Sequence, residues 1–497
     1  MTAPTDGRPP TEVRRALSPL ERWYWIADQV SPLNVIGRVQ VRGHLPEPLL
    51  RAALDRLRRR HPLLRVAIAA EPDGRSPRFV PSDRPIPLRL VTADAPVAPG
   101  DAVPPGDGSP PPWVQRVDEH ELVDRVDWRT GPLCRAVVIT HPSATGLADD
   151  ETHDLLLTMP HCVADGTTVL ALLRQWIDLA ERVRVGATDG TDSAVDTESG
   201  EPGEVGEPAL PGSEAMFPRR FRGLVGTLRL RWLLAQDLFR VRRHRPARVV
   251  PSRFVPFTER RTRLIARTLA PDQVEALVAA CRRERTTVHG ALAAAMVLAV
   301  AAEAGSPAPG HVTIGSPITF RDALEPAVPE RAVGTYVATV PTFVAYGPDR
   351  SLWDLARAIS DDLATRRRVG SHFAMVDLVT LSCPKSVAAA GRFIEMMERT
   401  GPVNLCLSNI GRHDFPDRVG PWRLSGAQFV AGLSVVGYFV STANTSHGQL
   451  SWNFTYVPDA LSADRATALV AASVDAVSAA IDGHTNVVGG QTERSPR

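Results

Sequence analysis

The chain has 497 residues, which is too many for one ordinary hydrophobic core, so two domains of roughly 200 residues each are expected. Its hydrophobic share of 43% and charged share of 23% are typical of a globular protein. A net charge of +2 argues against a nucleic-acid partner, because any basic surface must be local. The five scattered cysteines predict neither a metal site nor disulfides, and they favour a reducing, cytoplasmic setting.

Helices and strands alternate in the first half of the chain. Ser18 and Glu21 form a predicted capping box around Pro19, which begins a short helix. Apolar spacing predicts helices at 46–60 and 165–183 and strands at 35–41, 63–68, 133–139 and 154–159. Residues 92–112 are rich in Pro, Gly and Asp and predict a surface loop. Such a mixture favours an α/β or α+β layered domain.

Charge changes sign sharply near the centre of the chain. Residues 186–214 carry eight acidic residues and no basic ones, which predicts a flexible linker. Residues 219–250 then carry ten arginines against one acid, with apolar residues at helical spacing from Phe221 to Phe239. Three interpretations of this basic amphipathic helix stay open: a solvated face on a core helix, an anionic membrane surface, or a docking face for an acidic carrier protein.

The second half of the chain also predicts a mixture of helices and strands. Thr287 is predicted to cap a buried helix at 287–302. Other predicted helices are 270–285, 352–367 and 462–481, and predicted strands are 263–269, 312–318, 333–343, 403–411, 435–441 and 449–457. The predicted boundaries are a flexible N-terminus at 1–16, an N-terminal lobe at 17–184, an acidic linker at 185–218, the basic segment at 219–250, a C-terminal lobe at 251–482 and a loose tail at 483–497.

The stretch around His161 carries the strongest chemical signal. It lies where the buried strand 154–159 ends and a helix begins, so rigid elements hold a side chain that can face a cleft. Asp165 and Thr167 or Thr168 are suited to cap that helix, and Gly166 permits a tight turn. A His-x-x-x-Asp spacing alone occurs by chance, and a single histidine is more often structural than catalytic. Cys162 is better explained as a small buried residue than as a nucleophile.

Six motifs in register resemble the condensation-domain, or chloramphenicol-acetyltransferase-like, superfamily of acyltransferases. The similarity is greatest to polyketide-associated acyltransferases and the wax-ester synthase group, and it runs from about residue 17 to 480. The central piece is His161-Cys162-Val163-Ala164-Asp165-Gly166, which resembles the family's His-x-x-x-Asp-Gly signature. The other pieces are Arg60-His61-Pro62-Leu63-Leu64-Arg65, Gly131-Pro132-Leu133, Ser316-Pro317-Ile318-Thr319-Phe320-Arg321, Val333-Gly334-Thr335-Tyr336 and Ser408-Asn409-Ile410-Gly411.

The resemblance implies a layered α/β fold of two similar lobes forming a pseudo-dimer, with an active-site channel between them. It implies that His161 acts as general base while an acyl group passes from a CoA or phosphopantetheine thioester to a hydroxyl or amine, in natural-product or lipid biosynthesis. No cofactor beyond that acyl donor is expected. It also implies that Asp165 fixes the turn through a salt bridge to one of three arginines, Arg60, Arg65 or Arg321.

The oxyanion of the reaction is expected to contact the Gly166 amide or side chains near Ser408 and Asn409. Two departures from the family pattern bear on function. Pro160 stands where many members carry a first histidine, and Thr335 replaces the usual Asn of the Val-Gly-Asn element. Two alternatives therefore stay open: a non-catalytic binding or recruitment module, and a membrane-associated synthase of wax-ester or diacylglycerol type, peripheral to the membrane through 219–250.

Overall fold

The computed structural model describes residues 12–93, 110–143, 146–147, 150–188, 209–304, 309–400, 405–433 and 437–483. The predicted loop at 92–112, the central part of the acidic linker and the C-terminal tail lie largely or wholly outside these residues. The helices are α1 (Pro19–Val30), α2 (Glu47–Arg60), α3 (Pro112–Arg116), α4 (Gly166–Thr188), α5 (Gly223–His244), α6 (Pro271–Arg283), α7 (Val288–Glu303), α8 (Leu352–Val369), α9 (Ser371–Ser382), α10 (Ala390–Thr400) and α11 (Ala463–Ile481).

Two six-stranded sheets form the centres of two lobes, which confirms the predicted layered, two-lobe fold. The strands are β1 (Asn34–Arg42), β2 (Val66–Ala69), β3 (Arg78–Pro81), β4 (Leu88–Thr92), β5 (Arg135–His141), β6 (Thr152–Pro160), β7 (Arg263–Leu269), β8 (Gly310–Thr319), β9 (Val337–Tyr346), β10 (Leu405–Arg412), β11 (Arg418–Val419), β12 (Trp422–Ala431), β13 (Phe439–Ser446) and β14 (Gln449–Tyr456). The first sheet has the order β11-β12-β1-β6-β5-β4 and the second β7-β14-β13-β10-β8-β9.

Local sequence signals account for most of the helices and strands. The predicted capping box at the start of α1 is present, because the Ser18 side chain accepts from the Glu21 amide and the Glu21 carboxylate accepts from the Ser18 amide. Thr287 caps α7 as predicted. Residues 63–65 were predicted as strand but form part of a 3₁₀ turn that follows α2, and residues 333–336 form a loop before β9.

Two strands of the second half, β11 and β12, belong to the sheet of the first lobe. β12 pairs antiparallel with β1, and β1 pairs on its other side with β6, the strand that leads to His161. The C-terminal lobe predicted at 251–482 therefore contributes 418–431 to the other lobe. Polar side chains of the second sheet hold β12 in place: Thr442 donates to the Phe429 carbonyl at 2.9 Å and Asn444 to the Ala427 carbonyl at 2.8 Å.

Two segments predicted to be flexible are packed where the structure describes them. Val13, in the predicted N-terminal tail, is buried in the first core, and Ala16 bridges to β3. The end of the predicted linker forms a short 3₁₀ helix at Ser213–Met216, where the Glu214 carboxylate accepts from the Leu20 amide at 2.8 Å. Apolar side chains in these short segments explain the packing, since Val13 and Met216 are each about as buried as core residues.

Each lobe has its own hydrophobic core beneath its helices. The first core lies between the first sheet and α2 and α4, with Trp176 at its centre, and the second lies between the second sheet and α6, α7, α8 and α11. A third core, around Phe320 and Phe373, joins α5 and α9 to the body. Among the described residues no single helix is long and apolar enough to cross a membrane; the bent pair α6 and α7 meets that test only jointly, by length and composition.

Candidate active site

His161 follows β6 directly, and its backbone is fixed on both sides. Its amide donates to the Leu33 carbonyl at 2.9 Å, which continues the pairing of β6 with β1. Its carbonyl accepts a hydrogen bond from the Thr335 hydroxyl, which comes from the other half of the chain. The threonine that replaces the family's usual Asn therefore anchors the candidate base. Sheet pairing and this contact between the lobes together determine where the imidazole lies.

Asp165 is the N-cap of α4 and the centre of a buried clamp. Its Oδ1 accepts from the Thr168 amide at 2.8 Å and from the Thr168 hydroxyl at 2.9 Å. Its Oδ2 accepts from the Tyr336 amide at 3.0 Å. The Arg321 guanidinium contacts both oxygens at 3.2 Å. These donors occupy the carboxylate and leave it no hydrogen bond to His161, so the arrangement is a structural clamp and not a charge relay.

Of the three arginines predicted as partners of Asp165, only Arg321 makes the ion pair. It also donates to the Ala332 carbonyl at 2.9 Å, and its guanidinium lies 4.5 Å from the centroid of the Tyr336 ring. Arg60 instead lies near Asp178, where burial raises the pKa of the carboxyl and the Arg60 charge is one of several that oppose the shift. The element at 60–65 supports α4 in another way, since His61 is hydrogen-bonded to Gln175 at 2.9 Å.

Electrostatics reflect the same clamp. Burial alone would raise the pKa of Asp165, but the Arg321 guanidinium and the donors from Tyr336 and Thr168 outweigh it and hold that pKa below its usual range. Asp165 is therefore ionised at neutral pH. A buried carboxylate is stable only when its charge is compensated in this way.

Gly166 has a steric role and not the conformational one predicted for it. Its φ is not in the left-handed region. A Cβ at this position would lie 2.6 Å from the ring of Phe429 on β12, so only glycine allows β12 to pass so close to the start of α4. This contact again depends on the strand that the second half contributes to the first sheet.

Tyr24 is a site residue that motif reasoning did not identify. Its ring stacks on the His161 imidazole, with centroids 4.3 Å apart and planes 9° from parallel. Burial, with smaller effects from Asp165 and Cys406, raises the pKa of Tyr24 well above its usual value, so the phenol is neutral. The stack fixes the plane of the imidazole. No local pattern in α1 indicates it, because the two residues are far apart in sequence.

His161 as a whole residue is partly exposed. Its Nδ1 atom is buried and has no hydrogen-bond partner among the described residues, and Nε2 is not enclosed in this way. Burial lowers the pKa of His161, while the Asp165 charge and the nearby carbonyls of His161 and Ala164 oppose that shift. The imidazole is therefore neutral at pH 7.

Ser408 and Asn409 lie in the middle of β10 and are partly exposed. The side-chain Oδ1 of Asn409 accepts from the Gly411 amide at 2.7 Å, where the pairing of β10 with β13 shifts register. Cys406, two residues before Ser408, lies close enough to Tyr24 to affect its pKa. Because alternate residues of a strand share a face, Ser408 is on the side of β10 that faces Tyr24.

Thiol and metal chemistry have no support in this region. Cys162 is buried in the first core, and burial raises the pKa of its thiol well above the usual value. All five cysteines are buried and unpaired. Within the described part of the chain no group of three or more His, Cys, Asp or Glu side chains could hold a metal ion.

Several solved structures are similar to this chain over nearly its whole length. Polyketide synthase associated protein 5 from Mycobacterium tuberculosis is 19% identical, with 95% of this chain and 98% of that one covered and a TM-score of 0.59. The starter condensation domain of rhizomide synthetase, in complex with C8-CoA and Leu-SNAC, is 14% identical, covers 96% of both chains and has a TM-score of 0.63. The epimerization domain from the third module of tyrocidine synthetase B is 16% identical, with coverage of 97% and 99% and a TM-score of 0.61.

The fold is therefore the one shared by condensation domains and polyketide synthase associated protein 5, as the motif resemblance predicted. A more particular similarity lies in the second half, where residues 258–425 match the family described as phthiocerol/phthiodiolone dimycocerosyl transferase C-terminus. This segment includes Arg321 and Thr335, which hold the His161 turn from the other lobe, and it ends within β12. No curated protein matches the chain in sequence.

Proposed function

We propose that the protein is an acyltransferase that moves an acyl group from a CoA or carrier-protein thioester to a hydroxyl or amine, with His161 as general base. The observation that carries the proposal is the state of the His161 ring: neutral, stacked on Tyr24, and enclosed at Nδ1 but not at Nε2. A proton on Nδ1, favoured by the nearby carbonyls of His161 and Ala164, leaves the Nε2 lone pair free to accept another.

The chemistry needs little more than this base. The acceptor hydroxyl or amine loses its proton to Nε2 as its oxygen or nitrogen bonds to the acyl carbon. The C–S bond then breaks, and the thiolate takes the proton back and leaves as free thiol. No covalent acyl-enzyme forms, so a buried, protonated Cys162 is no obstacle. A positioned general base contributes typically 10²–10⁴-fold to such a step.

The remaining groups have supporting roles in this proposal. The clamp of Asp165, Thr168 and Arg321 holds the turn rigid, so that the imidazole keeps its orientation without a carboxylate bound to it. The Ser408 hydroxyl makes no hydrogen bond within the described part of the chain, and it is the donor we assign to the oxyanion of the tetrahedral intermediate. Relatives of the fold support the donor class, since the rhizomide starter domain was solved with C8-CoA.

A non-catalytic binding module is the rival function, and Pro160 in place of the first histidine is the feature that favours it. Purified protein is incubated with acyl-CoA donors of increasing chain length, with and without alcohol or amine acceptors, and free thiol is measured. Release of thiol that depends on acceptor supports the transferase. Tight binding of acyl-CoA without thiol release, over the whole panel of donors and acceptors, would favour the binding module.

A further inference from the structure

Helix α5 exposes an apolar stripe to solvent. Leu224, Val225, Leu228, Trp232 and Phe239 are 57–81% exposed. At 3.6 residues per turn these five positions fall within about 100° of one another around the helix. Large apolar side chains scattered singly on a surface are ordinary, but a continuous row of them marks an interaction site.

The opposite face of α5 packs on the body of the protein. Gly226, Leu230 and Leu233 are buried against the third core. Asp237 accepts from Arg366 of α8 at 2.9 and 3.0 Å, which ties the helix down. The apolar residues at helical spacing in the sequence thus lie mainly on the outward face of α5, and a different set of apolar residues packs against the body of the protein. This is not an ordinary core helix with a solvated polar side.

Arginines border the apolar stripe on α5. Arg229 and Arg231 lie near its middle and Arg242 and Arg243 near its end, all four exposed. The one acidic residue of the helix, Asp237, is paired with Arg366 on the inward side. Along α5 itself the outward face therefore presents apolar side chains flanked by arginines, and the Asp377 carboxylate of α9 lies near Arg231.

This combination matches an anionic membrane surface more closely than a folded partner. From Leu224 to Phe239 the stripe runs for about 22 Å along a helix at 1.5 Å per residue. Its side chains protrude in a row, whereas a folded protein partner is bound by anchors that enter pockets. A lipid interface accepts such a row, with arginine heads at the phosphates and a tryptophan at the boundary.

We propose that α5 is a membrane-surface helix, which lies in the plane of an anionic bilayer with Leu228, Trp232 and Phe239 in the acyl boundary and its exposed arginines on lipid phosphates. The rest of the protein stays in the aqueous phase above it. This inference is independent of the proposed chemistry, because none of these residues contacts His161 or its clamp.

Vesicle sedimentation tests the proposal on the full chain. The wild type partitions onto vesicles of phosphatidylcholine with phosphatidylglycerol, less so at high salt, and weakly onto phosphatidylcholine alone. The double variant W232S/F239S binds the anionic vesicles on the order of 100-fold more weakly, from the lost burial of two aromatic side chains. The variant R242Q/R243Q binds roughly 30-fold more weakly. Leu147→Ser, at a residue 63% exposed outside the helix, is the matched control and binds as the wild type.

Tryptophan fluorescence gives a direct readout of insertion. Trp232 is 60% exposed, whereas the other tryptophans are buried or only partly exposed. Vesicles with brominated acyl chains quench its emission, and the quenching is lost in Trp232→Phe, which still sediments. The proposal would be overturned if the wild type failed to bind anionic vesicles, or if quenching persisted in Trp232→Phe. It would also be overturned if neither the wild type nor W232S/F239S bound vesicles and an acidic acyl carrier protein bound the wild type but not W232S/F239S. Circular dichroism is the control that checks whether each variant is folded.

Discussion

Replacing Arg321 with alanine tests the clamp that presents His161. The Arg321 and Asp165 side chains are only 5% and 7% exposed, so the substitution leaves a buried carboxylate without its cation. It also removes the donors to the carbonyls of Ala332 and Pro329. Breaking a buried pair from one side costs about 3–5 kcal/mol, and we expect the free energy of unfolding to fall by that amount. Arg321→Lys keeps the positive charge but loses the planar, two-pronged guanidinium, so its free energy of unfolding should lie between those of the wild type and Arg321→Ala.

The matched control is Arg367→Ala. Arg367 pairs with Asp322, which adjoins Arg321 in the chain, but the two side chains are 54% and 65% exposed, so the loss should stay within about 1 kcal/mol. Urea unfolding followed by circular dichroism measures both variants. Equal effects of Arg321→Ala and Arg367→Ala would refute the reasoning.

Acid dependence gives a second readout of the same clamp. The pKa of Asp165 is lowered in the folded protein, so its stabilisation is present above the unfolded value of about 3.9 and is lost as the pH falls through the folded value. The difference in stability between the wild type and Asp165→Asn should therefore be constant from about pH 5 to 7 and shrink below about pH 4. A difference that instead vanishes near pH 6.5 would assign the effect to a histidine.

Three further predictions concern the residues around the clamp. Thr335→Ala leaves the backbone carbonyl of His161 without its donor and should cost about 1–3 kcal/mol in unfolding free energy, while Thr335→Ser keeps the donor. Equal loss in both variants would contradict this role. Gly166→Ala forces a Cβ against an aromatic ring and should lower the free energy of unfolding, measured in urea, by about 1–3 kcal/mol. At the control position Gly391 no heavy atom lies within 4 Å of an added Cβ, so Gly391→Ala should not destabilise the protein. Equal effects of the two substitutions would argue against the steric role of Gly166. Tyr24→Ala should raise the apparent pKa on the acidic limb of the kcat/KM profile toward about 6.5, because opening the imidazole to water removes the burial that lowers the pKa of His161. Tyr24→Phe keeps an aromatic ring over the imidazole and should leave that limb unchanged. An acidic limb that does not move in Tyr24→Ala would argue against the role of the stack.

Much of the fold follows from local signals, and the main omission has a physical cause. Strand β12 was not predicted from sequence, because Ser425, Gly426 and Gln428 interrupt its apolar pattern. Those residues are polar for a reason visible only in three dimensions: Ser425 donates to Gln40 on β1, and the Gly426 carbonyl accepts from Arg38. Because β12 crosses between the lobes, it has polar residues that make specific hydrogen bonds where an ordinary strand would have a regular apolar face.

The site divides in the same way. The position of His161 at a strand end and the capping role of Asp165 were predictable from the residues between them. The choice of Arg321 over Arg60 and Arg65 was not, because it depends on how the second lobe meets the first. Tyr24 and the anchoring role of Thr335 gave no local signal, since each acts across a long stretch of chain.

The central claim is that the imidazole of His161 removes the acceptor's proton. The measurement that tests it most directly is the acceptor-dependent release of thiol from acyl-CoA by His161→Ala, compared with the wild type at equal protein concentration. With the fold intact by circular dichroism, we predict a rate lower by roughly 10²–10⁴-fold and nearly unchanged binding of acyl-CoA. A variant that turns over at the wild-type rate would contradict the account.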